Sequence, residues 1–326
     1  MQTRSLSSDP AYDDRARSRS LAATALALIR LGRLHFLAGG VLLHLLGVAM
    51  ALYAGAPLNV AALLWGQIAI TATQVMTHYA NDYFDLDADR ANRTPTNWSG
   101  GSRVLVERAV PPHLALRVAL GAASVALVAN LVLSLVVQPG LTTFALLGLA
   151  QLAAWFYSAP PLRLHSRGLG EATTMIVVTL LTPLTGYALH AGRVDLLPLL
   201  VSAPLCCLQF AMLLAIEFPD AEGDRLAGKQ TLVVMFGGAT AIRLYVGFVC
   251  AAFLILPALV ALGLPAANAL AVALLLPLAI GLLWHARRGD WRRPERWNGF
   301  AFHTIVLLMA SAAAQFGALL LLIGTR

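Results

Sequence analysis

Long stretches without Asp, Glu, Lys or Arg alternate with shorter charged segments along this chain. The uncharged stretches are residues 34–81, 118–162, 172–192, 196–216, 244–286 and 297–325. A helix needs about 20 apolar residues to cross a bilayer. The three stretches of 43 to 48 residues therefore predict pairs of helices, and the three of 21 to 29 residues predict single spans. The pattern predicts nine membrane-spanning helices.

Each predicted helix pair contains a short run of residues that disfavour a helix. These turns are Gly55-Ala56-Pro57, Gln138-Pro139-Gly140 and Gly263-Leu264-Pro265. Before the first span, residues 21–31 predict a helix at the membrane interface. The polar residues 1–20 predict a disordered cytoplasmic tail, followed by a nine-helix membrane domain over residues 21–326.

The composition excludes a soluble globular domain. Hydrophobic residues make up 59% of the chain and charged residues only 12%, whereas soluble domains average about 25% charged residues. Backbone polar groups in lipid must be hydrogen-bonded within the protein, and helices achieve this within a single segment. The fold class that we expect is an all-α polytopic membrane protein with its helices around a central cavity.

The distribution of basic residues predicts the orientation. Of the 23 Lys and Arg residues, 21 lie in segments that nine spans would place on the same side as the N-terminus. Cytoplasmic loops carry an excess of Lys and Arg. We therefore expect an integral, multi-pass protein of the bacterial cytoplasmic (inner) membrane, with the N-terminus and the charged loops in the cytoplasm.

Acidic residues are concentrated at two of the predicted helix ends. Half of the 16 acids lie in residues 82–89 and 217–224, after the second and the sixth predicted spans. Such windows can be solvated loops, and for one isolated pair of acids that interpretation would be preferred. Two windows at the same membrane face of a chain so poor in charge favour a binding site instead.

The spacing within the two windows sharpens this interpretation. Asn81, Asp85 and Asp89 follow one another at intervals of four residues, and Asp220 and Asp224 repeat that interval. Residues four apart share one face of a helix, and like charges at this spacing destabilise it unless they are neutralised. Mg²⁺ binds through a few carboxylates together with substrate phosphates. We expect these carboxylates to hold Mg²⁺ and a diphosphate, with Asn81 as a neutral oxygen ligand.

Basic residues lie where a diphosphate would need them. Arg225 and Lys229 follow the second acidic window, and Arg163 lies in a polar loop that opens with Tyr157. Guanidinium groups match phosphate oxygens, and a Lys ammonium acts as a point charge. We predict that these three cations bind substrate and that Tyr157 lines the substrate pocket.

These motifs resemble those of a known family. Residues 81–89 are similar to the first Asp-rich motif of the UbiA superfamily of intramembrane prenyltransferases, and residues 220–232 are similar to its second motif. Residues 157–170 resemble the loop after its fourth helix. The resemblance implies a nine-helix ring around a cavity, in which a polyprenyl group passes from polyprenyl diphosphate to an aromatic acceptor with the help of Mg²⁺.

The resemblance also implies roles for individual residues. It assigns metal binding to Asn81, Asp82, Asp85, Asp89, Asp220 and Asp224. Of these, Asp85, Asp89, Asp220 and Asp224 are the predicted catalytic residues, and Asp82 matches the extra acid of the first motif. Arg163 and Lys229 would bind diphosphate oxygens.

Two further strings, residues 99–105 and 223–232, resemble the branch that prenylates 1,4-dihydroxy-2-naphthoate in menaquinone biosynthesis. Other acceptors stay open, namely 4-hydroxybenzoate, homogentisate or a non-aromatic lipid precursor. The alternative of another class is a cation-coupled transporter, because acids in membrane segments often mark ion pathways. We expect membrane lipid but no nucleic acid as a partner, and the oligomeric state stays open.

Overall fold

The computed structural model describes residues 20–325, and within this range the chain is helical without any β-strand. The helices are α1 (Leu21–Leu31), α2 (Leu34–Tyr53), α3 (Val60–Phe84), α4 (Leu86–Ala91), α5 (Pro112–Val137), α6 (Leu141–Ser158), α7 (Gly170–Ala191), α8 (Leu196–Glu217), α9 (Ala221–Leu226), α10 (Leu232–Phe236), α11 (Gly238–Ala261), α12 (Ala266–Ala273), α13 (Leu276–Arg287) and α14 (Pro294–Gly324).

Eight of these helices are long and apolar enough to cross a membrane, and α12 with α13 forms a ninth span that bends by 42°. The bend precedes Pro277, which has no N–H to donate to the helix ladder. Each of the three predicted turns lies between two spans. The predicted fold class is therefore confirmed for residues 20–325, and the chain is a multi-pass membrane protein.

Helix α1 begins at the edge of the described residues. Ser20 caps it by accepting a hydrogen bond from the Ala23 N–H over 3.2 Å. Leu21, Leu26 and Ile29 are exposed while Leu31 is fully buried, which fits a helix at a membrane interface. The predicted disordered tail lies outside the described residues except for Ser20.

The outer surface carries large apolar side chains that face no other helix. Leu135, Leu254 and Leu321 are each 70% or more exposed. Between α3 and α5, small residues such as Ala69 and Ala129 are buried in one cluster. Small residues let helices approach closely in lipid, where hydrophobic burial alone does not drive association.

Helix α7 contains a wide π-helical turn, Met175–Leu181, directly before Pro183. Because Pro183 cannot donate a backbone hydrogen bond, the regular ladder is interrupted there. The Thr182 hydroxyl donates to the Val177 carbonyl over 3.0 Å and replaces part of that ladder. This irregular turn faces the interior of the bundle, where Val177 and Leu181 line a cavity.

A cavity of 420 Å³ lies within the bundle, bordered by residues of α2, α3, α6, α7, α8 and α14. Its wall among the helices is mostly apolar, with Leu147, Leu213 and Met309, although Thr185 and Gln209 also line it. Most of the charged lining residues lie at the ends of α3 and α8 and in the connections that follow α3, α6 and α8. These connections contact one another, since Gln230 N donates to Ser166 O over 3.1 Å and Asn92 Nδ2 to Asp220 Oδ1 over 2.6 Å.

Candidate functional site

The first acidic segment lies at the junction of α3 and α4. Helix α3 ends at Phe84, and Asp85 separates it from α4 with a non-helical backbone (φ −97°, ψ 5°). Asp85 N nevertheless donates to Asn81 O over 2.8 Å, and Asp89 N to Asp85 O over 2.9 Å. The four-residue spacing is thus retained across the break, and Asn81, Asp85 and Asp89 all line the cavity.

The second acidic segment lies at the junction of α8 and α9. Asp220 precedes α9, and Asp224 N donates to Asp220 O over 2.8 Å. Both aspartates line the same cavity. A Cβ atom on Gly223 would lie only 2.9 Å from Asn92 N and 3.0 Å from Ala88 O. Glycine at this position therefore lets α9 approach α4 closely, which brings the two acidic segments together.

Asp85 is buried and has a partner at each carboxylate oxygen. Its Oδ1 lies 2.7 Å from His165 Nε2. Its Oδ2 accepts from Asn81 Nδ2 over 2.7 Å and from Lys229 Nζ over 3.1 Å. Burial alone would raise the pKa of Asp85, but the nearby charges of Lys229 and His165 outweigh it and hold that pKa below its usual range.

Lys229 connects the two acidic segments. Its Nζ lies 3.1 Å from Asp85 Oδ2 and 3.1 Å from Asp224 Oδ1. Burial opposes the charged ammonium, yet the attraction of the two carboxylates prevails and raises the pKa of Lys229. The only lysine of the chain is therefore a buried cation shared by one aspartate from each segment.

His165 orients Asp85 from the α6–α7 connection. Its Nδ1 lies 2.5 Å from Tyr157 O and its ring stacks on Tyr157, with the ring centroids 5.0 Å apart. Because Nδ1 faces a carbonyl oxygen and Nε2 faces a carboxylate, both ring nitrogens are placed to donate. Sequence reasoning assigned His165 no role, since its partner Asp85 is 80 residues away in the chain.

Asp89 and Asp220 have no cationic partner within hydrogen-bond distance among the described residues. The Asp89 carboxylate faces Gly101, where a Cβ atom would lie 2.0 Å from Asp89 Oδ2 and where φ is +70°. Burial and the neighbouring Asp82, Asp85 and Asp220 raise the pKa of Asp89 well above its usual value.

Asp220 is held by neutral donors. Its Oδ1 accepts from Asn92 Nδ2 over 2.6 Å, and its Oδ2 accepts from Gly100 N over 3.1 Å. Burial, together with the nearby Asp224 carboxylate, raises the pKa of Asp220 to about 7. Gly100, in the string 99–105 that resembles one family branch, thus contacts Asp220, the first aspartate of the second Asp-rich motif.

Asp82 departs from its prediction as a metal ligand. Its buried carboxylate forms an ion pair with Arg33 and accepts hydrogen bonds from the Ser102 hydroxyl and from Ser102 N, the latter over 3.2 Å. It does not line the cavity, whereas Arg33 does. Asp82 points away because it follows Asn81 by one residue and so lies on another face of the helix. The Asp82 carboxylate therefore binds Arg33 and the loop at Ser102.

The remaining predicted residues are placed unequally. Tyr157 lines the cavity, and its role in substrate binding stays a prediction. Arg163 and Arg225 are exposed and are not among the residues that line it. Their assignment to substrate binding stays a prediction that their positions outside the cavity lining do not support.

Two buried glutamates adjoin the site and were not singled out in the sequence. Glu217, at the end of α8, lines the cavity, and its side chain contacts that of Glu171 at the start of α7. Glu171 Oε1 accepts from Leu232 N over 3.0 Å, which ties the start of α10 to α7. Glu171 thereby anchors the segment that follows Lys229.

The donor set suits a hard divalent cation. Asn81, Asp85, Asp89, Asp220 and Asp224 contribute only oxygen ligands to one cavity, and oxygen is the ligand that Mg²⁺ prefers. No group of three or more His, Cys, Asp or Glu residues within residues 20–325 is arranged as a metal site. Lys229 lies between Asp85 and Asp224, and Asn92 Nδ2 donates to Asp220 Oδ1, so these oxygens have partners within the protein.

Comparison with known proteins identifies the relatives of this chain. The model of the UbiA prenyltransferase family matches residues 41–322. A 1,4-dihydroxy-2-naphthoate octaprenyltransferase of Mycobacterium leprae is 28% identical over 178 residues, which are 55% of this chain and 58% of that protein. The match thus spans less than two thirds of the length of this curated relative.

Solved structures with the same fold belong to UbiA homologues. The apo structure of a homologue from Aeropyrum pernix K1 superposes with a TM-score of 0.65 at 18% identity, covering 84% of this chain and 96% of that one. A homologue from Archaeoglobus fulgidus, bound to DMAPP and Mg²⁺, superposes with a TM-score of 0.58 at 15% identity, covering 88% and 98%. At these identities the structural likeness concerns the fold.

Proposed function

This chain belongs to the UbiA prenyltransferase family, and we propose that it transfers a polyprenyl group from a polyprenyl diphosphate to an aromatic acceptor within the membrane, with Mg²⁺ as its cofactor. The observation that carries the proposal is the convergence of both acidic segments on one cavity whose other end is apolar. The homologue that binds DMAPP and Mg²⁺ supports the same chemistry.

The acidic residues supply the diphosphate end of the proposed site. Asn81, Asp85, Asp89, Asp220 and Asp224 would hold the metal ions, and the Lys229 ammonium, which lines the same cavity, would bind the diphosphate oxygens. Mg²⁺ bound there would neutralise the diphosphate and make it a better leaving group. The deeper wall, with Leu147, Leu213 and Met309, would receive the prenyl chain.

The proposed reaction breaks the allylic C–O bond, and its electron pair leaves with the diphosphate. A ring carbon of the acceptor forms the new C–C bond to the allylic carbon and then loses a proton or CO₂. The Lys229 ammonium stabilises the charge that grows on the departing diphosphate. The apolar cavity excludes water, which would otherwise trap the allylic cation.

We propose 1,4-dihydroxy-2-naphthoate as the acceptor. The name of the Mycobacterium leprae relative supports this choice. A second support is a group of aromatic side chains that lines one side of the cavity, His35, Phe36 and Trp98, here called the aromatic wing. Trp98 makes edge-to-face contacts with both other rings. Arg33 borders the wing, and its buried Nε atom and the Trp98 Nε1 atom have no hydrogen-bond partner among the described residues. Such donors suit an aromatic carboxylate bearing hydroxyl groups.

We further propose that the acidic face of the bundle is cytoplasmic and that the membrane is the bacterial inner membrane. The distribution of Lys and Arg supports this orientation. In this arrangement a water-soluble acceptor reaches the aromatic wing from the cytoplasm, while the prenyl diphosphate arrives from the lipid.

The test is a prenyl-transfer assay with the purified full chain in lipid nanodiscs, containing a polyprenyl diphosphate and a panel of acceptors. We expect a prenylated product with 1,4-dihydroxy-2-naphthoate, and no product when EDTA removes Mg²⁺. Product with 4-hydroxybenzoate or homogentisate alone would move the chain to another branch. No product with any acceptor, together with ion uptake into proteoliposomes, would favour the transporter alternative.

A further inference from the structure

We propose that the Lys229 ammonium acts as an internal cation that occupies the space between Asp85 and Asp224 until a divalent cation and a diphosphate enter together. The inference rests on the proposed function for the identity of the diphosphate. It makes Lys229 a coupling residue, since the same ammonium would leave the two carboxylates and bind the diphosphate oxygens.

The first step is the geometry of the two carboxylates. Asp85 Oδ2 and Asp224 Oδ1 each lie 3.1 Å from Lys229 Nζ. Mg²⁺ binds oxygen at about 2.0–2.1 Å with near-octahedral geometry. A divalent cation held by both oxygens would compete with the ammonium for the same carboxylates. Divalent binding at this position requires Lys229 to leave.

The second step is the charge balance around Asp85. His165 Nε2 lies 2.7 Å from Asp85 Oδ1 and Asn81 Nδ2 lies 2.7 Å from Oδ2, so every oxygen of this carboxylate already has a donor. Asp85 and Asp224 are both buried. A buried carboxylate without a cation is costly, which explains why the fold supplies one from its own chain.

The Lys229 side chain can reorient even though the backbone around it is held in place. Three hydrogen bonds hold the backbone around Lys229: Lys229 N to Asp224 O over 2.8 Å, Gln230 N to Ser166 O over 3.1 Å, and Leu232 N to Glu171 Oε1 over 3.0 Å. The four-carbon side chain of lysine can reorient while this backbone stays in place. Lys229 can therefore exchange partners without any movement of a helix.

The consequence is a thermodynamic coupling between the two ligands. A divalent cation alone must displace Lys229 from Asp85 and Asp224, and the ammonium, having lost both of these ion pairs, needs a new anionic partner. A diphosphate provides that partner, so that it should tighten metal binding, and the metal should tighten diphosphate binding by the same factor.

The experiment measures Mn²⁺ binding by electron paramagnetic resonance of the full chain in nanodiscs, with and without geranyl S-thiolodiphosphate, an unreactive diphosphate analogue. For the unmodified protein we expect the analogue to tighten Mn²⁺ binding about tenfold or more. Lys229→Gln should bind Mn²⁺ alone about tenfold more tightly than the unmodified protein, and the analogue should tighten Mn²⁺ binding less in this variant than in the unmodified protein. Arg243→Met, which removes an exposed cation away from the cavity, is the matched control.

A second measurement covers the case in which Lys229→Gln folds poorly. Without Lys229, Asp224 lacks its cation, so the metal-free variant should unfold at a lower temperature, and Mn²⁺ should raise that temperature more than it does in the unmodified protein. Equal Mn²⁺ affinity of the two proteins in the absence of the analogue would overturn the inference. If the analogue has no effect on either protein while Lys229→Gln still binds Mn²⁺ more tightly, the coupling and the proposed diphosphate substrate both fail, and only the role of Lys229 as an internal cation stands.

Discussion

The four aspartates of the site form two pairs whose charges are balanced in different ways. Asp85 and Asp224 share the Lys229 ammonium. Asp89 has no hydrogen-bond partner for its carboxylate among the described residues, and Asp220 is held by the neutral donors Asn92 and Gly100. Each pair contains one aspartate from each acidic segment. The difference in charge balance therefore depends on how the two segments pack together, and the spacing within either motif does not determine it.

Aspartates at equal spacing in the sequence can therefore have different charge partners in the folded chain. The Lys-bound pair is complete without a metal ion and holds the two segments together. In the pair without a cation, burial and neighbouring carboxylates raise the pKa values, so both groups would ionise together only with a divalent cation beside them. The predictions below test whether the two pairs differ in this way.

The largest effect is expected on prenyl transfer. Replacement of any one of the four aspartates by asparagine removes a charged metal ligand, and activity should fall about a hundred- to a thousandfold or more. Asp87→Asn is the matched control, because Asp87 is exposed and pairs with Arg90 at the surface over 3.6 Å. If one of these four single variants shows near-normal turnover, the replaced aspartate does not belong to the proposed site.

The next prediction concerns stability, which should fall when an aspartate of the Lys-bound pair is replaced but not when one of the other pair is replaced. In metal-free buffer, Asp85→Asn leaves Lys229 and His165 without their anion and should lower the free energy of unfolding by about 3–5 kcal/mol. Asp89→Asn removes a buried carboxylate that has no cation and should leave stability unchanged or raise it. Thermal unfolding in nanodiscs with EDTA measures both, and equal losses in the two variants would contradict the comparison.

A smaller effect is expected at His165, which supports only the Lys-bound pair. His165→Gln can still donate one hydrogen bond but cannot keep both the Tyr157 and the Asp85 contacts. Loss of a hydrogen bond to a charged group predicts about a tenfold fall in prenyl transfer, less than for Asp85→Asn. A fall as large as that of Asp85→Asn would show that His165 does more than orient the carboxylate.

The smallest effect concerns pH and the pair without a cation. The pKa of Asp220 is raised to about 7 in the folded chain, against about 3.9 for an unfolded Asp. A raised pKa contributes stability that is lost as pH rises through the folded value. Metal-free protein should therefore unfold at a lower temperature at pH 8 than at pH 6. Asp220→Asn should reduce this difference, and added Mg²⁺ should remove it; a larger pH difference in the variant would contradict the prediction.

The parts of the site that follow from local spacing could be predicted from the sequence. The interval of four residues between Asn81, Asp85 and Asp89 survives in the backbone hydrogen bonds, even though Asp85 interrupts the helix. The positions of the turns also follow from local residue preferences. Partners from distant segments could not be predicted: His165 and Lys229 meet Asp85 across 80 and 144 residues of chain.

The position of Asp82 also could not be predicted from the sequence, because its partners come from distant segments. A motif comparison counts it among the acids, but its neighbour Arg33, 49 residues earlier, and the loop at Ser102 remove it from the cavity. Which partner a buried carboxylate obtains depends on which helices lie side by side, and residue spacing carries no such information.

The amino-acid sequence alone therefore specifies the spans, their turns and the two faces of oxygen ligands, because hydrophobicity and helical periodicity act over a few residues. The helix packing decides how the charge of those ligands is shared. It brings Lys229 between two segments, allows α9 to approach α4 at Gly223, and leaves Asp89 and Asp220 without a cation. Burial and Coulomb interactions depend on distances through space, and these exist only once the helices have packed.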